Sequence, residues 1–216
     1  MRRISVVFVW IAFALGAVAD DKACLGCHAM IQTILSKGNS HPAMALGCAT
    51  CHTDHTQGAG HVAGHYLIAV PAELCVRCHA EVTKKEFVHE PVKKDCTVCH
   101  SPHAGLKEGM RAQFNALCVE CHSEASKSKF ETNGSVKLFD GKVTIPAHYF
   151  ENLQLLALQN DRGHPVSNHP VQRTADANWP AISCTVCHKP HGADKSASLL
   201  VTETANFEPL CQRCHQ

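Results

Sequence analysis

The chain has 216 residues, 20 Lys and Arg against 19 Asp and Glu, a formal net charge of +1, and only 6% aromatic residues. That near-neutral balance, without a basic run or interleaved aromatic and basic residues, excludes a nucleic-acid-binding class, and the length fits one domain or two small ones. What stands out is 14 cysteines and 17 histidines.

Taken in chain order, the first 19 residues read as a secretory signal. Arg2 and Arg3 give a short basic start, Ile4 to Ala17 is mostly apolar, and Ala17-Val18-Ala19 supplies small residues for cleavage before Asp20. The apolar run is shorter than the roughly 20 residues of a spanning helix, and Asp21-Lys22-Ala23 ahead of Cys24 is too polar for a lipoprotein site. The mature chain is expected to be soluble and exported to the periplasm, the outer membrane or the cell exterior. Loss of Arg2 and Arg3 leaves 18 basic against 19 acidic side chains, a net of −1.

From Cys24 onward one pattern recurs seven times. Motifs 1 to 7 are Cys24–His28, Cys48–His52, Cys75–His79, Cys96–His100, Cys118–His122, Cys184–His188 and Cys211–His215, each of the form CxxCH, and together they consume all 14 cysteines. CxxCH reads as a covalent c-type haem site. Two cysteines at this spacing form thioethers to the two vinyl groups of one haem: Cys24 and Cys27, Cys48 and Cys51, Cys75 and Cys78, Cys96 and Cys99, Cys118 and Cys121, Cys184 and Cys187, Cys211 and Cys214. The histidine that follows then binds the iron as proximal ligand: His28, His52, His79, His100, His122, His188 and His215. The expected cofactors are seven covalently bound haems. The 197 residues after the signal leave about 28 per haem, too few for an ordinary core, so the haem faces must supply much of the buried apolar surface.

The motifs alternate. Motifs 2, 4 and 6 carry a second histidine three residues on (His55, His103, His191) and are termed B; motifs 1, 3, 5 and 7 do not and are termed A. A His-Pro type signal precedes each B motif: His41-Pro42, His89-Glu90-Pro91, and His164-Pro165 with His169-Pro170. A leucine (Leu74, Leu117, Leu210) precedes the next A motif. This is an internal repeat of about 45 residues, with units of about 20–74, 75–117 and 118–216, and repeats of that length form quasi-linear arrays.

Ten histidines remain beyond the proximal seven. The distal-ligand candidates are His41, His55, His89, His103, His164, His169 and His191, with His61 and His65 as alternatives for the seventh place and His148 equally compatible with a plain exposed role. A histidine three residues after the proximal one is expected to ligate an adjacent haem rather than its own, because the backbone there is already held against one face. Only Met30, Met44 and Met110 survive signal removal. Mostly bis-His ligation, and so low potentials, therefore follows.

Val88-His89-Glu90-Pro91-Val92, Cys96 to His103 and Leu117-Cys118, matched again by Cys184–His191 and Leu210–His215, resemble the doubled-CxxCH multihaem cytochromes c. The resemblance implies an elongated haem array, mostly irregular with short α-helices, carrying electrons in anaerobic or extracellular respiration. It implies redox partner proteins: inner-membrane or periplasmic donors, outer-membrane or extracellular acceptors, and in some members an outer-membrane porin. The alternatives are a multihaem reductase with one open iron, a conduit subunit or a filament subunit. The histidine surplus and the absence of a CxxCK variant favour a carrier, with no catalytic residues. Structural zinc is disfavoured because each histidine follows its second cysteine directly. A disulfide scaffold would not require the histidines. By chain order, motifs 1 and 7 are the expected ends of the array.

The third repeat unit holds an insertion, about 123–163, that reads by ordinary rules. Ser135 to Phe139, Asp140-Gly141 and Lys142 to Ile145 read as a hairpin with a type I′ turn. Pro146 then opens a helix with Tyr149, Leu153 and Leu156 on one face. A lid over haem edges is favoured for this insertion over a docking surface. Helices are also expected at Ala23 to Lys37 and Ala80 to Phe87.

Overall fold

The computed structural model describes residues 21–37, 40–53, 66–106, 109–151, 153, 182–204 and 206–215. The expected signal, His55, His61, His65, His164, His169 and Leu156 lie outside the described residues. Among those described, the elements are short: α1 (Asp21–Cys27), α2 (Ala29–Leu35), α3 (Pro71–Val76), β1 (Phe87–Val88), α4 (Glu90–Lys94), α5 (Phe114–His122), β2 (Ser135–Leu138), β3 (Val143–Pro146), β4 (Gly192–Ala193) and α6 (Glu208–Cys211). No described helix is long and apolar enough to cross a membrane.

The A and B motifs differ in local structure as well as in sequence. In every A motif the first cysteine lies in an α-helix: Cys24 in α1, Cys75 in α3, Cys118 in α5 and Cys211 in α6. In every B motif the first three residues form a 3-10 turn instead: Cys48–Thr50, Cys96–Val98 and Cys184–Val186. Helix starts carry residues that suit them, as with Pro71 at the opening of α3. The turns at Cys96 and Cys184 are capped by the side chains of Asp95 and Ser183, which accept the N–H groups of Thr97 and Thr185.

Each B motif is closed from behind by the same backbone loop. His52, His100 and His188 form isolated antiparallel bridges with Leu67, Met110 and Leu200. The residue after each histidine (Thr53, Ser101, Lys189) donates to the carbonyl of Tyr66, Gly109 or Leu199, at 2.7 Å in all three. Met110 and Leu200 are buried, at 8% and 2% exposure, so an apolar side chain seals each of these two loops.

Three expectations need correction. Ala23 to Lys37 is not one helix: it breaks at His28, whose backbone leaves the helical region (φ −99°, ψ 49°) between α1 and α2. Ala80 to Phe87 holds only the 3-10 turn Ala80–Val82 before β1, because its C-terminal end is drawn into pairing with β4. Pro146 ends β3 rather than opening a helix, and among the described residues the 3-10 turn Ala147–Phe150 follows. Gly134 O accepts the Ala147 N–H and ties this turn back to the hairpin.

The hairpin itself forms, with β2 and β3 antiparallel and Leu138 opposite Val143. Asp140 and Gly141 both have positive φ (55° and 80°), and Lys142 N–H closes the turn on Phe139 O. Those are the features of a type I′ turn. Phe139 is also left-handed, at φ 53°, which aims its N–H away from the partner strand and onto the Glu120 carboxylate. The hairpin contributes the one sizeable apolar cluster among the described residues: Val136, Leu138 and Ile145 pack with Val98, and Cys99, Cys121, Tyr149 and Phe150 surround them.

Candidate functional site

All 14 cysteines and all seven proximal histidines line a single continuous cavity of about 3780 Å³, joined there by His41, His89, His103, His148 and His191. Ordinary small-molecule pockets hold about 300–1,000 Å³, so this space suits several large cofactors rather than one. Its walls are largely the apolar and sulfur-bearing residues that a polypeptide this poor in aromatics would otherwise bury against itself.

Inside the cavity, histidines oppose one another across repeat units. His41 faces His79 with ring centres 5.9 Å apart, and His52 faces His103 at 5.7 Å. His89 faces His122 at 6.0 Å, and His100 faces His191 at 5.9 Å. Each pair joins one proximal histidine to one distal candidate from a different repeat unit. The ring planes lie within 16° to 27° of parallel in three pairs and cross at 75° in His41–His79. His103 and His191 therefore sit against the preceding B motif, and His41 and His89 against the next A motif. His148 packs on Tyr149 in the insertion, with ring centres 5.0 Å apart.

Backbone contacts produce this interleaving. His41 N–H donates to Pro102 O at 2.9 Å, and His89 N–H to His191 O at 3.1 Å. The two described His-Pro segments thus dock beside the trailing histidine of the next unit. The β1–β4 pairing fixes the second docking, and Gly192 is required there because a Cβ would come within 2.7 Å of Phe87 O. Lys85 and Asp194 pair at 2.9 Å beside it.

The histidine tautomers follow from these contacts. His89 Nδ1–H donates to Pro190 O at 3.0 Å and His188 Nδ1–H to Ser198 O at 2.9 Å. A ring with its hydrogen on Nδ1 carries its lone pair on Nε2, the tautomer typical of ligating histidines. In His41, Nδ1 accepts the Ala43 N–H at 3.1 Å, so this ring would have to give up that bond and carry its hydrogen on Nδ1 to hold a metal through Nε2 as neutral imidazole. Burial holds His89, His103 and His191 below the usual imidazole range, with a smaller effect from the facing His122, His52 and His100 respectively. Neutral imidazole is the form that binds metal.

Successive motifs touch through their cysteines in chain order. The sulfurs of Cys24 and Cys48, Cys75 and Cys96, and Cys118 and Cys184 are hydrogen-bonded, pairing the A and B motifs of each unit. Cys51 lies near Cys75, Cys99 near Cys118 and Cys121, and Cys187 near Cys211 and Cys214, linking one unit to the next. Within the hydrogen-bonded pairs Cys96 and Cys184 are pushed down to about 7 by the bond from the partner thiol. Burial drives Cys99 up to about 11 and Cys121 up to about 12.

Further positioning groups escaped the sequence reading. Asp21 and Asn115 each lie three residues before the first cysteine of an A motif, and each accepts the N–H of the first cysteine of the partner B motif. Asp21 Oδ1 takes Cys48 N–H at 2.8 Å and Asn115 Oδ1 takes Cys184 N–H at 2.9 Å. Asn115 also donates to Ile182 O at 2.8 Å. The shared spacing was the available signal, but Ala72 in the middle unit breaks it. Glu120, inside motif 5, holds both Phe139 N–H and Lys129 Nζ, the latter at 2.7 Å, and so anchors the hairpin.

The residues present fit haem. Two metal–imidazole bonds of about 2 Å each, with the ring radii at either end, span about 6 Å, and the four opposed pairs match that span. A family model for the doubled CXXCH motif matches residues 89–127 and 178–216, which include motifs 4 to 7. No curated protein matches the chain. The doubled motif, matched twice over about a third of the chain, is the mark of the multihaem c-type cytochromes, and its paired cysteines indicate covalently bound c-type haem.

Proposed function

We propose that the chain carries electrons along a row of seven haems, numbered as their motifs, with mostly bis-His ligation and low potentials. The observation that carries this reading is the single cavity faced by all seven motifs, with opposed histidines at an iron-spanning separation. Haem, when bound, supplies a one-electron iron couple. The polypeptide holds each iron from both sides, keeps water from it and sets the order of neighbours.

The cysteine contacts support a linear order from haem 1 to haem 7, with electrons entering and leaving at the two ends. Haems 2, 3, 4 and 5 take His103, His41, His191 and His89 as distal ligands. Haems 1, 6 and 7 draw their distal ligands from the remaining histidines, with His55, His164 and His169 as the first candidates and His61, His65 and His148 as alternatives. Crossed ligation stitches the units together, since each of these haems is bonded to one unit and coordinated by another. The insertion acts as a lid: Val136, Leu138 and Ile145 cover Val98, Cys99 and Cys121, insulating the middle of the row so that exchange occurs at the ends.

In this reading the protein is exported, works in the periplasm or at the outer membrane, and passes electrons between protein partners. Low-temperature EPR of the oxidised holoprotein tests it. Low-spin ferric signals accounting for all the haem support a carrier. A substantial high-spin fraction would indicate an open iron, and the reductase class would replace the carrier reading.

A further inference from the structure

The three B-motif loops share one further contact, and its only charged variant is Arg111. Ile68, Arg111 and Val201 occupy the same place after the bridge residue. They donate their N–H groups to the carbonyls of Cys51, Cys99 and Cys187 at 3.0, 2.9 and 2.9 Å. Two of the three are aliphatic, so the loop does not need a cation to close.

Arg111 does more than close the loop. Its Nε donates to Thr97 O at 2.6 Å, within the Cys96–Cys99 stretch, so the side chain wraps the turn that bears both sulfurs of motif 4. It is half-buried and lines the cavity beside Cys99. The carboxylate whose charge acts on it is Asp95, whose Oδ1 accepts from Thr97 N–H and Thr97 Oγ1, both at 2.7 Å.

We infer that Arg111 is a tuning residue that raises the midpoint potential of haem 4, at a point where the loops of motifs 2 and 6 carry Ile68 and Val201. The inference rests on haem attachment at Cys96 and Cys99. Its sign follows from charge. Ferric haem carries one more positive charge than ferrous haem, so a fixed guanidinium beside the macrocycle disfavours the oxidised form. In a partly buried site that interaction is not screened away by salt. Nearby charge and burial are recognised levers on haem potential.

A spectroelectrochemical titration of the holoprotein with a soluble mediator, comparing wild type with R111V, R111K and V201R, tests this. Val201 already fits the equivalent loop, so R111V preserves the closure. One of the one-electron steps should move to lower potential in R111V, with a several-fold fall in the reduced-to-oxidised ratio of one haem at fixed applied potential. R111K should retain most of the wild-type value, and V201R should raise one step belonging to haem 6. The inference is overturned if R111V carries full haem yet leaves every step in place, or if R111K shifts as far as R111V. Peptide mass mapping separates the two levels: a wild-type Cys96–His100 peptide without haem would remove the attachment reading itself.

Discussion

Asn115 offers a sharp test of how the A and B motifs of a unit are held together. Its side chain spans from α5, which carries Cys118, to the turn that carries Cys184, accepting Cys184 N–H at 2.9 Å and donating to Ile182 O at 2.8 Å. Each such bond contributes about 0.5–1.5 kcal/mol net, so N115A should cost about 1–3 kcal/mol in all. N115D separates the two contacts, since a carboxylate still accepts from Cys184 but can no longer donate to Ile182. Chemical unfolding of the oxidised holoprotein, followed in the Soret band, reads the stability. The visible circular dichroism couplet from neighbouring haems reads their relative orientation. The order wild type, N115D, N115A should appear in both. If N115A leaves stability and couplet unchanged, the side chain does not set the spacing of haems 5 and 6, and the account of Asp21 at haems 1 and 2 falls with it.

Other consequences follow from single contacts. Leu138 is fully buried beneath the hairpin, and L138A should destabilise the lid by about 2–5 kcal/mol; hydrogen exchange across 135–146 should accelerate, and an unchanged rate would contradict the packing. His103→Met should change the ligation of haem 2 and raise its potential, because His103 faces His52 rather than His100. Paramagnetic NMR should then find the introduced methyl beside His52, and a methyl beside His100 would refute the crossed pairing. Glu203 bonds to Lys189 and to the N–H groups of Asp194 and Lys195, and these contacts depress its carboxyl to about 2. A depressed folded value adds stability above the ordinary carboxyl range, near 4.3, that is lost as pH falls toward 2. Wild type and E203Q should therefore differ in unfolding midpoint at neutral pH and converge near pH 2, and a gap persisting there would rule out the charge as its source.

What the sequence disclosed was local chemistry. CxxCH is contiguous and chemically demanding, so seven copies could be read directly, and the A and B distinction seen in the trailing histidines reappears as helix against 3-10 turn. Asp140-Gly141 likewise declared its turn, because few residues accept two consecutive positive φ values. The pairing of distal with proximal histidines was not legible. It depends on His41 docking on Pro102 and His89 on His191, contacts between distant segments with no mark in the spacing. The helix expectations failed for a related reason. Ala23 to Lys37 has acceptable propensity throughout, yet His28 leaves helical geometry at its proximal-ligand position, and demands made by a cofactor site do not enter propensity. Arg111 and Asn115 look unremarkable in the sequence and acquire meaning only when the three units are overlaid.

The central claim is that each of the seven motifs is bonded to one haem. Intact mass of the denatured, purified holoprotein measures this directly, because thioether-bound haem survives unfolding. The account predicts one dominant species whose mass exceeds that of its polypeptide by seven haems. A dominant species with fewer haems in fully matured protein would contradict it and break the row at the motifs left empty.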